Sequence, residues 1–319
     1  MKNIADVLNE KITKMKSPIV VGLDPVLKEI PNCYKEKYEN EKDRFKAVGN
    51  ILLDFNKDII DAIHNIVPAI KPQLAFYEMY GHNGIWAFEQ TVKYAKSKEM
   101  VVVADGKRND IGNTISAYAK AYLGKVDVGN GEELESVNVD FLTVSPYLGA
   151  DTLTPFVEEC IKSNKGIFVL VKTSNPLNEY IQDVVDENGM KIHEKVAKYV
   201  QEQADTFVGE SGYSPIGAVV GATYPEQAVT LRKIMPKSIF LVPGYGAQGA
   251  TAKDICNCFD ENGLGAIVNS SRGIIFAYKN KYKKEECTKD EYRKTVTEAA
   301  ENMRQSIIEA LKESKKNIC

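Results

Sequence analysis

Long apolar runs are missing: no window of the 319-residue sequence approaches the ~20 consecutive apolar residues that a membrane-spanning helix requires. The opening segment, MKNIADVLNEKITKMK, mixes charged and apolar residues at helical spacing and lacks the unbroken stretch of a signal peptide. No membrane partner is therefore expected, and a cytoplasmic location is. Surplus positive charge is missing too. Lys and Arg number 41 against 44 Asp and Glu, for a net charge of -3 and a sequence pI near 5.8. The general attraction to phosphate on which nucleic-acid binding depends is thereby absent, although a small anionic ligand needs only local cations. Histidine is limited to three residues and cysteine to six. The one close cysteine pair, Cys256 and Cys258, has no second pair or neighbouring histidine to complete a zinc site. Reduced thiols and no metal are expected. No G-x-G-x-x-G follows the first apolar run, which speaks against an open dinucleotide-binding sheet.

What is present is an ordinary globular composition, 44% hydrophobic and 27% charged, arranged as a repeated unit. Short β-branched runs bounded by turn residues alternate with stretches of helical periodicity. The expected strands are Ser17–Asp24, Val67–Leu74, Met100–Lys107, Phe141–Pro146, Gly166–Thr173, Ile216–Thr223, Ser238–Tyr245 and Gly265–Arg272. Their apolar runs are nearly continuous, as parallel strands covered on both faces require. Helices are expected over Arg44–His64, Trp86–Lys98, Asp151–Lys162, Met190–Phe207, Pro225–Met235, Thr251–Phe259 and Lys289–Lys315. Eight such units predict an α/β fold, a (β/α)8 TIM barrel, for which about 250 residues is typical. The surplus falls in loop insertions at Val26–Asp43, Gly124–Asn138 and Asn175–Gly189 and in a C-terminal helical extension after Phe276. No Pro/Ser-rich linker divides the chain, so residues 1–319 read as a single domain.

Active sites of such barrels form at the C-terminal ends of the strands, and the charged residues here collect at those ends: Asp24, Lys71, Asp105, Lys107 and Asp110, then Thr173 and Ser174, then Ser271 and Arg272. Alternation along a strand puts Asp105 and Lys107 on one side, where Lys71 from the next strand would join them. A structural ion pair explains Asp105 with Lys107 alone. It explains the larger set poorly, because desolvation of several charges can exceed their Coulombic gain. The loops after strands seven and eight, PGYGAQGA (243–250) and SSRGI (270–274), sit where barrels frequently bind phosphate. Gly244, Gly246 and Gly249 admit an anion close to backbone N–H groups, Gln248 adds a neutral donor, and the Arg272 guanidinium matches phosphate oxygens. The remaining marked residues take plainer readings. His64, His82 and His193 are surface or packing histidines, and Trp86, Phe88 and Tyr94 are helix packing.

The series VGLDP (21–25), KPQLAFYE (71–78), DGKRNDIGNT (105–114), SPYLGADTLTPF (145–156), VKTSNP (171–176), PGYGAQGA (243–250) and NSSRG (269–273) resembles the orotidine 5′-phosphate decarboxylase family, in its longer subfamily of bacterial and protozoan enzymes. The resemblance implies a cofactor-free decarboxylase of pyrimidine biosynthesis. Lys107 is implied as the acid that protonates C6, Asp105 as the aspartate beside the departing carboxylate, and Lys71 and Asp110 as the rest of a charged tetrad. Asp24 is implied as a ribose ligand, Ser174 as the reader of the pyrimidine edge, and Gln248 with Arg272 as the phosphate grip. Asp110 and Thr114 are implied to reach the neighbouring subunit's site, hence a homodimer with shared active sites. The rivals are a metal-dependent sugar-phosphate decarboxylase or aldolase on the same barrel, a Schiff-base aldolase using Lys71 or Lys172, and a barrel that only binds nucleotide phosphate.

Overall fold

The computed structural model describes residues 2–246 and 249–318. Eight parallel strands close into a barrel: β1 (Ile19–Leu23), β2 (Ala69–Pro72), β3 (Val101–Arg108), β6 (Phe141–Val144), β7 (Gly166–Lys172), β8 (Ser214–Val220), β9 (Ser238–Val242) and β10 (Ala266–Ser270). Between β3 and β6, β4 (Lys125–Asp127) and β5 (Glu133–Glu135) form a separate antiparallel ribbon. That ribbon is the polar insert expected at 124–138, and Gly129 and Gly131, both at positive φ, turn it. All eight expected barrel strands are present. β8 begins two residues before its expected start, at Ser214.

Helices Arg44–Ile63, Thr154–Ser163, Ile192–Asp205, Pro225–Ile234 and Lys289–Glu313 follow the periodicity. The helix expected from Trp86 starts earlier, over Gly81–Ser97, leaving Trp86 at 40% exposure on its surface rather than packed. Phe88 is buried edge-on against Tyr77. The expected Thr251–Phe259 helix shortens to Ala252–Ile255 with a 3-10 turn at Cys256–Cys258. Gly112–Leu123 is a helix the apolar pattern did not announce, because only Ile115, Ala119 and Leu123 are buried on it.

Two apolar layers hold the barrel. Between strands and outer helices lies the larger one, which takes in Ile19, Val21, Phe55, Phe156 and Phe240. Inside the barrel, Val20, Ala69, Val101, Val103, Phe141, Phe168, Ile239 and Ile267 pack together with Ile4, Ala5, Leu8 and Ile12 of the helix Ile4–Met15. That helix closes the N-terminal end of the barrel. Its Asn3 cap is reciprocated by Asp6, whose carboxylate also accepts from the backbone N–H groups of Glu210 and Ser211. Each fully buried Leu or Ile there contributes about 1.5–3 kcal/mol relative to exposure. The apolar filling stops below the C-terminal end, where the inward positions turn polar.

Candidate active site

Inward-facing positions along the strands run from apolar to charged within one or two steps. On β2 the sequence is Ala69, Lys71, then Gln73 just beyond; on β3 it is Val103, then Asp105. A cleft of about 390 Å³ opens there, lined by Lys71, Asp105, Lys107, Thr143, Thr173 and Ser174 among others. At its base, the Asp105 carboxylate is buried and accepts four side-chain hydrogen bonds. Lys71 Nζ donates to Oδ2 at 2.5 Å and Gln73 Nε2 to the same oxygen at 3.0 Å. Lys107 Nζ donates to Oδ1 at 2.7 Å and Thr143 Oγ1 to it at 2.9 Å.

The electrostatics of this array settle two protonation states. Burial alone raises the Asp105 pKa, but Lys71 and Lys107 together hold it well below the usual carboxylate range. Burial likewise pushes the Lys71 ammonium down, yet Asp105 and Asp24 more than offset it and the net shift is upward. The charged form of Lys71 is thus favoured, which weighs against it as a Schiff-base nucleophile. Lys172, the other candidate, is fully buried. The pairing of β7 with β8 slips by one residue between Leu170 and Lys172, and Lys172 Nζ pairs with Asp183 at 2.9 Å instead of lining the cleft.

Lys107 does not reach the cleft by simple alternation. Five residues of β3, Ala104 to Arg108, run alongside three of β6, Leu142 to Val144. In this bulge Lys107 adopts φ 47°, a left-handed conformation uncommon for a residue with a side chain. Its backbone N–H is taken by Thr143 Oγ1 at 2.9 Å, so one threonine positions both the lysine backbone and the aspartate. Gly106 lies close under Leu74, whose Cδ1 a Cβ there would meet at 2.8 Å. Arg108 closes the bulge from outside: it donates to Gly106 O at 3.2 Å, pairs with Glu78, and lies over the rings of Tyr118 and Tyr122.

Of the other expected residues, Asp24 stands beside Lys71 with Oδ1 buried and without a hydrogen-bond partner among the described residues, and Ser174 lines the cleft. Arg272 is exposed at the end of β10 and has no ion pair among the described residues. Gly244, Gly246 and Gly249 all take positive φ, as a loop that presents backbone N–H groups requires. Gln248 lies outside the described residues. Asp110 and Thr114 are not brought to the charged cluster within this chain. Asp110 accepts from the backbone N–H of Ile111 at 2.8 Å, Thr114 is exposed, and Ile111 between them is 62% exposed. The tetrad expected from the sequence is, in one chain, a triad of Lys71, Asp105 and Lys107.

Gln73 and Thr143 are the site residues the sequence reading passed over. Both were visible to the same rule that found Lys107: Gln73 lies two residues beyond Lys71, and Thr143 is the polar residue of the otherwise apolar FLTV strand. Asn269 and Ser271, inward on and just after β10, belong with them. Their Oδ1 and Oγ atoms are buried, near Asp24, and have no hydrogen-bond partner among the described residues. His193 is buried as a packing residue, but its Nδ1 also lies 2.9 Å from Asp183. Among the described residues, no group of three or more His, Cys, Asp or Glu side chains is placed to hold a metal ion.

Comparison with known proteins adds a family to this geometry. The model of the Orotidine 5'-phosphate decarboxylase / HUMPS family matches residues 17–287. A relative from Rhodopirellula baltica named orotidine 5'-phosphate decarboxylase is 47% identical over 280 residues, 88% of this chain and 90% of its own length. One of the same name from Caldicellulosiruptor bescii is 42% identical over 312 residues, covering 98% and 100%. Among solved structures, Leishmania donovani OMP decarboxylase superposes with a TM-score of 0.69 at 26% identity, over 97% of this chain and 98% of that one.

Proposed function

The chain belongs to the orotidine 5'-phosphate decarboxylase / HUMPS family, and from that membership we propose that it converts orotidine 5'-phosphate to UMP and CO2, in pyrimidine biosynthesis, without a cofactor. The observation that carries the chemistry is one buried carboxylate, Asp105, gripped on its two oxygens by Lys71 and Lys107. Loss of CO2 from C6 leaves a carbanion with no adjacent electron sink, so a positive charge must already stand where negative charge develops. Lys107, oriented by Asp105 and the Thr143-bonded bulge, supplies that charge and then the proton. Asp105 lies beside the departing carboxylate, and Lys71 keeps it ionised.

Asp24 takes the ribose hydroxyls, Ser174 the pyrimidine edge, and Arg272, with Gln248 and the glycine loop, the phosphate. At 4 Å and an effective dielectric near 20, a single charge contributes about 4 kcal/mol, short of the roughly 8–23 kcal/mol that enzymes supply. Binding energy at the distant phosphate therefore has to orient the base as well. That Asp110 and Thr114 lie off the charged cluster of their own chain supports their use in a neighbouring subunit's site, and hence a homodimer. No helix among the described residues is long and apolar enough to cross a membrane, and the family's biosynthetic role supports a cytoplasmic location.

The test is the fall in ultraviolet absorbance when the protein meets orotidine 5'-phosphate in EDTA, with Lys107→Ala beside it. Turnover by the wild type and a loss of roughly a thousandfold or more in the variant is expected, from the charge term alone. No turnover in EDTA, restored by magnesium, would move the protein to the metal-dependent branch of the barrel.

A further inference from the structure

The Asn175–Gly189 insertion carries a polar network that the chemistry above does not use. Gln182, at the end of the short helix Glu179–Gln182, accepts from Thr173 N–H at 3.0 Å through Oε1 and donates from Nε2 to Thr173 Oγ1 at 2.8 Å. The next residue, Asp183, is the partner of the fully buried Lys172 at 2.9 Å and of His193 at 2.9 Å. Lys172 also lies over the Tyr224 ring at 4.9 Å, and Asn178 donates to the hydroxyl of the same tyrosine at 2.7 Å. Both residues flanking this wall of the cleft are thus tied to the insertion: Thr173 by hydrogen bonds, Lys172 by charge.

Ser174, whose backbone packs closely against Gly221, forms that wall with Thr173 and Asn175. Behind it lies a second cavity of about 570 Å³, which shares Leu170 and Asn175 with the cleft and is roofed by Leu177, Tyr180 and Ile181 of the insertion. The insertion adds directed bonds to that packing, and these hold both the N–H and the hydroxyl of Thr173. Those bonds come from Gln182, whose backbone carbonyl lies 2.8 Å from His193 Nδ1, and the adjacent Asp183 ties the same segment to the interior: moving it away would strand the Lys172 ammonium without a counter-charge, which is strongly unfavourable. In the outer part of the insertion Leu177 is 75% and Tyr180 83% exposed, while Asn178 between them is buried.

We propose that Gln182 and Asp183 are positioning residues, a latch that fixes the Thr173–Ser174 edge of the cleft for contact with the substrate's base. This rests on the reading of the cleft as the orotidine 5'-phosphate site with Ser174 at the pyrimidine. The latch acts through Thr173 and touches no reacting atom, so its loss affects recognition of the base more than the chemical step.

The experiment measures inhibition constants of UMP and of ribose 5-phosphate, which lacks the base, together with KM, kcat and Tm for Gln182→Ala, Gln182→Glu and Ser174→Ala. Gln182→Ala is expected to weaken UMP and raise KM by roughly tenfold, the combined effect of two hydrogen bonds, with ribose 5-phosphate unchanged and kcat within about twofold. Gln182→Glu, which keeps the acceptor for Thr173 N–H, is expected to recover part of the loss. Asp183→Asn, nearly the same shape, is expected to follow Gln182→Ala in its selectivity for UMP. A Gln182→Ala protein with lower Tm but unaltered UMP binding would reduce the network to a structural role, and equal weakening of both ligands would overturn the proposal as well. If Ser174→Ala leaves UMP binding intact while Gln182→Ala weakens it, the assignment of Ser174 fails and the latch stands through Thr173.

Discussion

Asp105 has no free oxygen: two ammonium groups, an amide and a hydroxyl all donate to it. Protonation would forfeit both charge contacts and leave the buried Lys71 beside a neutral acid, which is why the carboxyl is held below its ordinary range. The sign of the linkage follows. A depressed folded-state value means that the unfolded chain binds the proton first, so the stabilisation is complete above the unfolded pKa of about 3.9 and fades as pH falls through the lower folded value. The Tm difference between the wild type and Asp105→Asn is therefore expected to be constant from pH 7 to about 5 and to shrink only in stronger acid. Thermal scans across that range check it; a gap already closing near pH 6 would mean that Asp105 is not held by the two lysines.

Among elements, the barrel strands were the most legible because they are apolar on both faces, and nothing else in the chain has that pattern. Their exceptions were legible for the same reason: a lysine or aspartate such as Lys71 or Asp105 stands out in a continuous apolar run. Less legible were elements whose form depends on distant contacts. The bulge that aims Lys107 requires Thr143 from another strand, and Gly112–Leu123 buries too narrow a stripe to announce itself. Lys172 looked like its neighbours at the strand ends until the slip in pairing with β8 placed it against Asp183. The helix Ile4–Met15 was visible as a helix, but its place inside the barrel layer was not. Leu8, fully buried there, offers a test at this scale: Leu8→Ala is expected to lower stability by about 2–5 kcal/mol while leaving KM for orotidine 5'-phosphate unchanged. Urea titration and steady-state kinetics separate the two, and a raised KM would show that the floor of the barrel communicates with the cleft.

On the scale of the molecule, the cleft of one chain holds the lysines and Asp105, whereas Asp110 and Thr114 are not among its lining residues. In a homodimer with shared sites, Lys107→Ala and Asp110→Ala damage different halves of each composite site. Mixed dimers, half of a randomly reassorted population, would each regain one intact site, so mixing two inactive proteins is expected to restore roughly a quarter of wild-type activity. Assay after dissociation and reassociation measures it, and no recovery would assign both residues to the same chain's site. The helix that packs across the N-terminal end of the barrel bears on traffic as well as stability. A cleft underlain by the packed apolar layer that reaches down to Ile4, Leu8 and Ile12 opens, among the described residues, toward the C-terminal ends of the strands, so nucleotide arrival, gas escape and product departure share that passage. Whatever closes that doorway over the substrate must reopen before the next molecule can enter.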